Sequence, residues 1–546
     1  MTMLRRYLIV GGMACLFGVL AYAQEGDKSK QDAKAPAPPP DAISQGSVTV
    51  GGQAIEYRAV AGTLTVGSTD VQDAMLDLEG QVLAGEKKPD PAKPEEAPAT
   101  ARIFYTAYFK KDASNETRPI MFLYNGGPGS ATMWLHMGSF GPRRVVTTDT
   151  QHDAGAPYKI VNNEHSLLDV SDLVFIDAPG TGFSRVMGKD KEKAFWGTDA
   201  DAHAFDRFIR RFLTKYNRWN SPKYLFGESY GTPRSAVLSA MLQNVDLNGI
   251  VLLSAILSFD NNPDGPRWNP GIEQPYALVL PTYAASALYH HKIPQPPGGF
   301  ESFMKTVEQF ALGEYMSALL EGSELSEARK QAVAEKLHQY TGLPVAYLLK
   351  ADLRVSGPAF AKLLQQETGV TTGRLDARYQ GPDYNPLSEQ AEYDPQSNAI
   401  SSAYTAAINH YLRAELKYGE NMTYLPGAND PNFHWDLRHQ APGGPPAGDS
   451  FVGYNVMPDL ATTMKANPKL RVMLAGGYYD LATPFFEGIY EMHHLPIPRS
   501  LQSNISYHYY PAGHMVYVNE GVLRQFHDDV SAFIRGAGSQ TTTAGN

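Results

Sequence analysis

Short, mostly apolar runs alternate along this chain with segments whose apolar positions recur at helical spacing. The first such runs lie at 103–109, 119–124, 170–176 and 249–254. Runs of this kind are typical of strands that are covered on both faces. Between them, an apolar stripe from Phe205 to Leu213 predicts an amphipathic helix. Buried strands that alternate with such helices predict an α/β fold, with a mostly parallel central sheet and helices on both faces.

The alternation breaks between about 258 and 440 and then resumes. Within this stretch the pattern predicts helices near 303–320, 326–340 and 358–367, followed by an irregular segment at 369–398. Strands return at 470–475 and 504–510, and a final amphipathic helix is expected at 521–535. We interpret 258–440 as a largely helical cap inserted between two parts of the core, 47–257 and 441–535. An independent domain is the alternative.

The first residues predict three successive segments. Residues 1–23 carry Arg5 and Arg6, an apolar stretch and Ala21-Tyr-Ala23, the pattern of a secretory signal peptide cut after Ala23. An uncleaved membrane anchor is the alternative. Residues 24–46, rich in charge, alanine and proline, are expected to form a flexible tether. Alternating residues at 47–66, with breaks at Gly51-Gly52 and Gly62, predict a small β-meander, and the polar tail 536–546 is expected to be mobile.

Charge and cysteine content narrow the class of protein. The net charge of −10 over 546 residues argues against a nucleic-acid partner. The single cysteine, Cys15, lies in the predicted signal peptide, and Gly12-Met-Ala14 before it does not favour lipidation. The mature chain would then have no thiol, which excludes cysteine catalysis and thiolate metal sites and favours a periplasmic or secreted protein. No later stretch is apolar enough for a stable membrane span, and no cofactor or metal is expected.

A serine stands at the end of one predicted buried strand. The run ends in Gly227-Glu-Ser-Tyr-Gly231, and Pro233 then opens a helical pattern. A Gly-x-Ser-x-Gly between a strand and a helix is the pattern of a nucleophile elbow, in which small neighbours allow a strained turn that exposes the serine oxygen. Ser229 is therefore the candidate nucleophile.

The chain supplies the partners that such a serine needs. A serine attacks only when an imidazole takes its proton and a carboxylate orients that imidazole. Asp480 follows the predicted strand 470–475, and His514 follows 504–510. Both positions lie at the carboxyl ends of strands, in the order Ser, Asp, His that an elbow of this kind requires.

Five motifs follow one another along the chain. They are Asn125-Gly-Gly-Pro-Gly-Ser130, Asp177-Ala-Pro-Gly-Thr-Gly-Phe-Ser184, Gly227-Glu-Ser-Tyr-Gly231, Asp480-Leu-Ala-Thr-Pro484 and Gly513-His-Met-Val516. In this order and spacing they resemble the serine carboxypeptidases. The resemblance covers roughly 102–535 and weakens through the insertion. It implies an α/β-hydrolase fold and removal of one residue from the free carboxyl terminus of a peptide.

The resemblance also implies roles for individual residues. Ser229 would be the nucleophile, His514 the base and then the acid, and Asp480 its orienting partner. The amides of Gly127 and Tyr230 would form the oxyanion hole, where one donor is typically worth about 3 kcal/mol. The carboxylate of the substrate's last residue would be bound by three residues, Asn125, Gly126 and Glu228.

One departure from the family pattern concerns Glu228. The family commonly has a second glutamate shortly before a Gly-Pro pair, and the corresponding position here is Ser139, in Gly138-Ser-Phe-Gly-Pro142. Two adjacent carboxyls share a proton and so favour acidic pH. With Glu228 alone, we expect carboxylate recognition that is weaker or less dependent on acid.

Two other functions remain open from the sequence. An esterase or acyltransferase could use the same triad, because this chemistry does not specify peptides. An inert binding protein could keep the fold, although all three triad positions and both oxyanion positions are present.

Overall fold

The computed structural model describes residues 39–90, 92–446 and 453–536. The predicted signal peptide with Cys15, most of the tether and the predicted tail beyond Gly536 therefore lie outside the described residues. Among the helices of the described ranges, none combines the length and apolar character that a membrane crossing requires.

One large sheet forms the centre of the molecule. The strands of the described chain are β1 (Ala42–Val50), β2 (Gln53–Gly67), β3 (Thr100–Lys110), β4 (Ile120–Tyr124), β5 (Arg143–Val145), β6 (Ile160–Asn162), β7 (Asp172–Ile176), β8 (Arg185–Met187), β9 (Lys223–Glu228), β10 (Gly249–Leu253), β11 (Val370–Thr372), β12 (Gln380–Pro382), β13 (Arg471–Gly477) and β14 (Ile505–Tyr510). The order in the sheet is β1-β2-β3-β7-β4-β9-β10-β13-β14, with β8 paired to β3.

The strand directions define the fold class. Neighbours from β7 to β14 run parallel, whereas β1, β2 and β3 are antiparallel. The sheet is mostly parallel, as predicted. In the sheet, β7 lies between β3 and β4, although it follows β4 in the chain, and β9 lies between β4 and β10. This strand order, with a serine turn directly after β9, is the α/β-hydrolase arrangement.

Side chains alternate between the two faces of this sheet, as the period of a strand requires. On β9, Tyr224 and Phe226 pack into one core, whereas Leu225 packs into the other. Every residue of β9 is buried. The central strands are thus covered on both faces, which is why they read as continuous apolar runs.

The helices cover both faces and build the insertion. They are α1 (Asp70–Ala74), α2 (Met133–Leu135), α3 (Lys191–Phe195), α4 (Thr198–Lys215), α5 (Gly231–Met241), α6 (Gln274–Leu278), α7 (Leu280–Tyr289), α8 (Gly299–Phe310), α9 (Met316–Glu321), α10 (Glu327–Thr341), α11 (Val345–Lys350), α12 (Gly357–Leu363), α13 (Pro395–His410), α14 (Met457–Ala466), α15 (Phe485–His493) and α16 (Glu520–Arg535).

The start of the core differs from the expected meander. β1 begins at Ala42, inside the segment expected to be a tether, and β2 runs unbroken through Gly62. Gly62 is not a turn, because it pairs with Tyr105 of β3 within an unbroken ladder. An added Cβ there would lie 2.0 Å from Asp41 Oδ1. Glycine is needed at this position because Asp41 packs closely against it. The third strand of the antiparallel group is β3.

The insertion contains more structure than the pattern predicted. Helices α6 and α7 follow a Pro- and Asn-rich stretch, at positions where no helix was expected, and the segment expected to be irregular contains the hairpin β11–β12. Helices α6 to α12 share a core that also includes Leu481 and Phe485, just after Asp480. Helix α13 instead packs into a core of the main sheet, through Ile400 and Tyr404. The insertion therefore touches both the sheet and the loop of a candidate catalytic residue.

Candidate active site

Ser229 lies in a strained turn between β9 and α5. Its φ is +58°, a left-handed conformation that costs energy for any residue other than glycine. Its amide donates to the carbonyl of Leu253 at 3.0 Å, which fixes the turn against β10. An added Cβ on Gly227 would lie 2.0 Å from the carbonyl oxygen of Gly231. The glycines of the elbow are therefore required by the close approach of the chain to itself.

His514 and Asp480 form a buried pair at the same edge of the sheet. They follow the neighbouring parallel strands β14 and β13, and Nδ1 of His514 lies 2.7 Å from Oδ2 of Asp480. The other carboxylate oxygen, Oδ1, accepts from the amides of Ala482 at 2.8 Å and Thr483 at 3.0 Å. The hydroxyl of Thr483 also donates to Oδ2, at 2.7 Å. Asp480 is thus held by its own turn, and it holds the Nδ1 hydrogen so that Nε2 is the acceptor of a neutral imidazole.

A short chain of hydrogen bonds connects the serine turn to the histidine loop. Leu253 accepts from the amide of Ser229, and the next residue, Ser254, donates its hydroxyl to the carbonyl of His514 at 2.7 Å. The amide of Ser254 in turn donates to Ala475 at 2.8 Å. The end of β10 thereby brings the turns that follow β9 and β14 to one edge of the sheet.

Burial and nearby charges act in opposite directions on the pKa of His514. Burial lowers the pKa. The charge and hydrogen bond of Asp480, together with the charge of Glu228, raise it by a larger amount, so that the pKa lies above its usual value. The imidazolium that forms when a serine loses its proton is therefore stabilised at this position.

The Asn125 loop, residues 125–130, packs directly on the turn that holds Ser229. An added Cβ on Gly126 would lie 2.2 Å from the amide nitrogen of Tyr230. Gly127 has a φ of +110°, and the turn is closed by a hydrogen bond of 3.0 Å from the amide of Ser130 to Gly126. The two positions expected to supply oxyanion donors, Gly127 and Tyr230, thus lie on loops that contact each other.

Asn125 is fixed in orientation by its neighbours. Its side-chain oxygen accepts from the amide of Leu135 at 3.0 Å, so its amide nitrogen is left to donate elsewhere. Its backbone carbonyl accepts from Arg234 at 2.7 Å. Arg234 is fully buried and forms an ion pair with Asp201 at 2.5 Å. The arginine therefore ties α5, which follows the nucleophile, to the Asn125 loop.

Glu228 lies beside Ser229 as a buried acid. Its side chain hydrogen-bonds Asn125 and the hydroxyl of Tyr517, whose oxygen lies 3.1 Å and 2.8 Å from the two carboxylate oxygens. Burial raises the pKa of Glu228 to about 7, although His514, Tyr517 and Asn125 each oppose the shift. Glu228 can therefore gain or lose its proton near neutral pH.

Ser139 does not face this acid. It lies in a helical turn at His136–Phe140 and donates its hydroxyl to the carbonyl of Leu135 at 2.6 Å. Its own carbonyl accepts from Asn163 at 2.6 Å. The absence of a second glutamate at this position, noted from the sequence, thus coincides with a side chain turned into the local backbone.

Three contributors to the site were missed from the sequence. Arg234 could have been noticed as a charged residue on an otherwise apolar helix. Tyr517 follows His514 by only three residues, but nothing in its spacing indicates its contact with Glu228. The segment around Asp376 gave no signal at all, yet Leu375 accepts a hydrogen bond of 2.6 Å from the amide of His514.

The fold and this elbow define an α/β-hydrolase with a serine, a histidine and an aspartate at one sheet edge. Residues 95–250 match the family model of the serine carboxypeptidases. The resemblance stated from the motifs is therefore confirmed: the chain is related to the serine carboxypeptidases through a segment that holds the Asn125 loop and Ser229.

Individual relatives match over shorter parts. The pheromone-processing carboxypeptidase KEX1 of Saccharomyces cerevisiae is 34% identical over 125 residues, which is 22% of this chain and 16% of the yeast protein. Serine carboxypeptidase-like 28 of Arabidopsis thaliana is 23% identical over 189 residues, 32% of this chain and 39% of that protein. The match thus spans well under half of the length of these relatives.

Solved structures resemble the chain at lower sequence identity. The peroxisomal α/β-hydrolase Lpx1 of Saccharomyces cerevisiae has a TM-score of 0.34 at 9% identity, covering 89% of this chain and 91% of that one. The proline iminopeptidase of Mycobacterium smegmatis has a TM-score of 0.32 at 12% identity, covering 80% and 95%. It is the strand order around β9 that defines the fold.

Proposed function

We propose that this protein is a serine carboxypeptidase, which hydrolyses the last peptide bond of a peptide that has a free carboxyl terminus. The observation that carries this proposal is the position of Glu228, a buried acid that hydrogen-bonds Asn125 and adjoins the candidate nucleophile. Burying a carboxyl group beside a nucleophile costs free energy. That cost is explained if the carboxyl group of Glu228 serves to bind the carboxylate of a substrate.

In this proposal the hydroxyl of Ser229 attacks the carbonyl carbon of the last peptide bond. His514 takes the serine proton, and Asp480 stabilises the imidazolium that results. The developing oxyanion is bound by the amides of Gly127 and Tyr230. The imidazolium then gives its proton to the leaving nitrogen, which departs as the free amino acid, and water hydrolyses the acyl-enzyme by the same steps in reverse.

The carboxylate of the leaving residue would be bound by Asn125, Gly126 and Glu228. Gly126 lies against the amide of Tyr230, so a carboxylate bound at this loop is a short distance from the scissile bond. A protonated Glu228 can donate a hydrogen bond to that carboxylate, whereas an ionised one repels it.

Product analysis tests the nucleophile and the reaction together. A peptide with a free carboxyl terminus is incubated with the purified protein, and its products are followed by mass spectrometry. The proposal expects stepwise loss of single residues from the carboxyl end, abolished in Ser229→Ala. A fluorophosphonate probe should label the wild type and not this variant. Labelling without release of carboxyl-terminal residues would favour an esterase or acyltransferase, and no labelling would favour a binding protein.

Localisation and domain roles belong to the same proposal. The pattern of residues 1–23 supports export to the periplasm or the exterior, which cell fractionation would test by finding the protein outside the cytoplasm without its first residues.

The contacts of 374–378 with the loops of Asp480 and His514 support a cap role for part of the insertion 258–440. Its deletion should abolish activity on peptides.

A further inference from the structure

Glu228 is held by two neutral groups that come from separate parts of the chain. The hydroxyl of Tyr517 bridges both carboxylate oxygens, and both residues are only 2% exposed. The side chain of Asn125 hydrogen-bonds Glu228 and Tyr517 alike. Asn125, Glu228 and Tyr517 thus form one closed hydrogen-bonded set beside the nucleophile.

The surrounding backbone makes room for Tyr517. An added Cβ on Gly138 would lie 2.7 Å from the ring carbon Cε2 of Tyr517 and 2.4 Å from the hydroxyl of Tyr404. The next side chain, Ser139, turns away to the carbonyl of Leu135. The two tyrosines therefore occupy the space beside the position where the family commonly carries its second glutamate.

We propose that Tyr517 is a specificity-determining residue of the carboxylate site, whose hydroxyl positions Glu228 in place of the second carboxyl that the family uses. This inference rests on the proposed function. A carboxyl partner shares a proton with its neighbour, whereas the phenol keeps its own proton: its hydroxyl donates to Glu228, and its oxygen accepts from the side-chain amide of Asn125. Burial and the charge of Glu228 keep the pKa of Tyr517 well above its usual value, so the hydroxyl stays protonated throughout the working range.

The titration of the site then depends on one acid. The charged or titratable groups that act on Glu228 are His514 and Asp480 from the two catalytic loops and Tyr517 from the turn before α16, and Glu228 acts in turn on Tyr404 of α13. Only Glu228 among the groups that would contact the carboxylate of the substrate changes charge near neutral pH. Binding of that carboxylate should be lost in a single-proton step as Glu228 ionises.

Removal of the tyrosine hydroxyl has two separable consequences. Glu228 loses the donor that fixes its orientation, so its protonated form binds a carboxylate ligand more weakly. The ionised form of Glu228 also loses stabilisation, so its pKa rises and carboxylate binding persists to higher pH. A merely structural role of Tyr517 would produce neither the second effect nor any difference between substrates with and without a carboxylate.

The experiment measures kcat and KM from pH 5 to pH 9 on a peptide and on its carboxyl-terminally amidated twin. In Tyr517→Phe we expect KM for the free peptide to rise about fivefold, as for loss of one hydrogen bond between neutral groups, with kcat within about twofold. The alkaline limb of the free peptide should move to higher pH, and the amidated twin should be unaffected. Tyr404→Phe is the matched control, because the same atom is removed from a neighbouring ring, and it should leave both substrates unchanged.

A second variant keeps the test independent of how well Tyr517→Phe folds. Glu228→Gln removes the titrating acid, so the alkaline limb of the free peptide should disappear, and adding Tyr517→Phe should then cause no further shift. The inference is overturned if Tyr517→Phe has the KM and limb of the wild type, or if Tyr404→Phe reproduces its effects. A wild type that releases no residue from free peptides at any pH overturns the proposed function and this inference together, so the two failures are distinguishable.

Discussion

The carboxylate of Asp376 accepts a hydrogen bond of 3.1 Å from the amide of Gly513, the residue before His514. Asp376 is also paired with Arg378 at 2.6 Å, and Arg378 reaches Asp149 at 3.0 Å. Two buried residues of the insertion, linked to Asp149 of the core, therefore support the loop of the candidate general base.

Removing this carboxylate should weaken both stability and turnover. Asp376→Ala leaves the amide of Gly513 unpaired and Arg378 with one partner, a change that typically costs about 3 kcal/mol when the pair is buried. We expect a lower melting temperature and a kcat reduced at least tenfold, measured by thermal unfolding and steady-state kinetics. Glu96→Ala is the control, since its pair with Lys93 is exposed on both sides and worth below about 1 kcal/mol. Equal losses in the two variants would contradict a specific role for Asp376.

The Asp480–His514 pair predicts a large effect of a nearly isosteric change. Asp480→Asn keeps the shape of the side chain but places a donor where the carboxylate accepted, so His514 is held in the wrong tautomer. On the pattern of serine hydrolases, kcat should fall roughly 10,000-fold with little change in KM. Single-turnover kinetics on a good substrate check this, and a loss below tenfold would exclude Asp480 as the orienting carboxylate.

The pKa shifts in the site predict a bell-shaped pH profile for peptides. His514 must be neutral to act as a base, and its raised pKa places the acid limb above the usual value for histidine. Glu228 must be protonated to bind a carboxylate, and its pKa of about 7 places the alkaline limb near neutrality. A neutral ester or amide substrate should keep the acid limb and lose the alkaline one. Identical profiles for both kinds of substrate would contradict the role of Glu228.

Neighbouring positions in the turn before Gly141 should respond differently. Ser139→Ala removes a hydrogen bond to the carbonyl of Leu135, which costs about 1 kcal/mol of stability, and leaves KM unchanged because this hydroxyl faces away from Glu228. Gly138→Ala places a methyl group against Tyr517 and Tyr404, so KM for free peptides should rise. The comparison needs only kinetics and thermal unfolding; a larger KM change in Ser139→Ala would contradict the orientation described for Ser139.

The central strands could be predicted from the sequence because burial on both faces leaves continuous apolar runs. This applies to β4, β7, β9 and β10, and the residues that follow strands could be placed at one sheet edge for the same reason. The full length of strand β2 could not be predicted, because the pattern indicated a turn at Gly62. This glycine instead lies within the strand and allows the close approach of Asp41.

Contacts between distant segments could not be predicted in this way. Tyr517 and Glu228 are 289 positions apart, and Gly513 and Asp376 are 137 apart. No periodicity encodes such pairs, which form only when distant segments of the chain pack against one another. The sequence could show that Glu228 lacks its family partner at Ser139, but only the packing of the turn after His514 shows which group stands beside it.

The requirement for a free carboxylate provides the most direct test of the proposed function. The purified wild type is given equal amounts of a peptide and its carboxyl-terminally amidated twin at pH 6, below the pKa of Glu228, and kcat/KM is measured for each. We predict that the free peptide is preferred at least tenfold, and that this preference falls as the pH is raised through about 7. Equal turnover of the two peptides at pH 6 would contradict the proposed carboxypeptidase function.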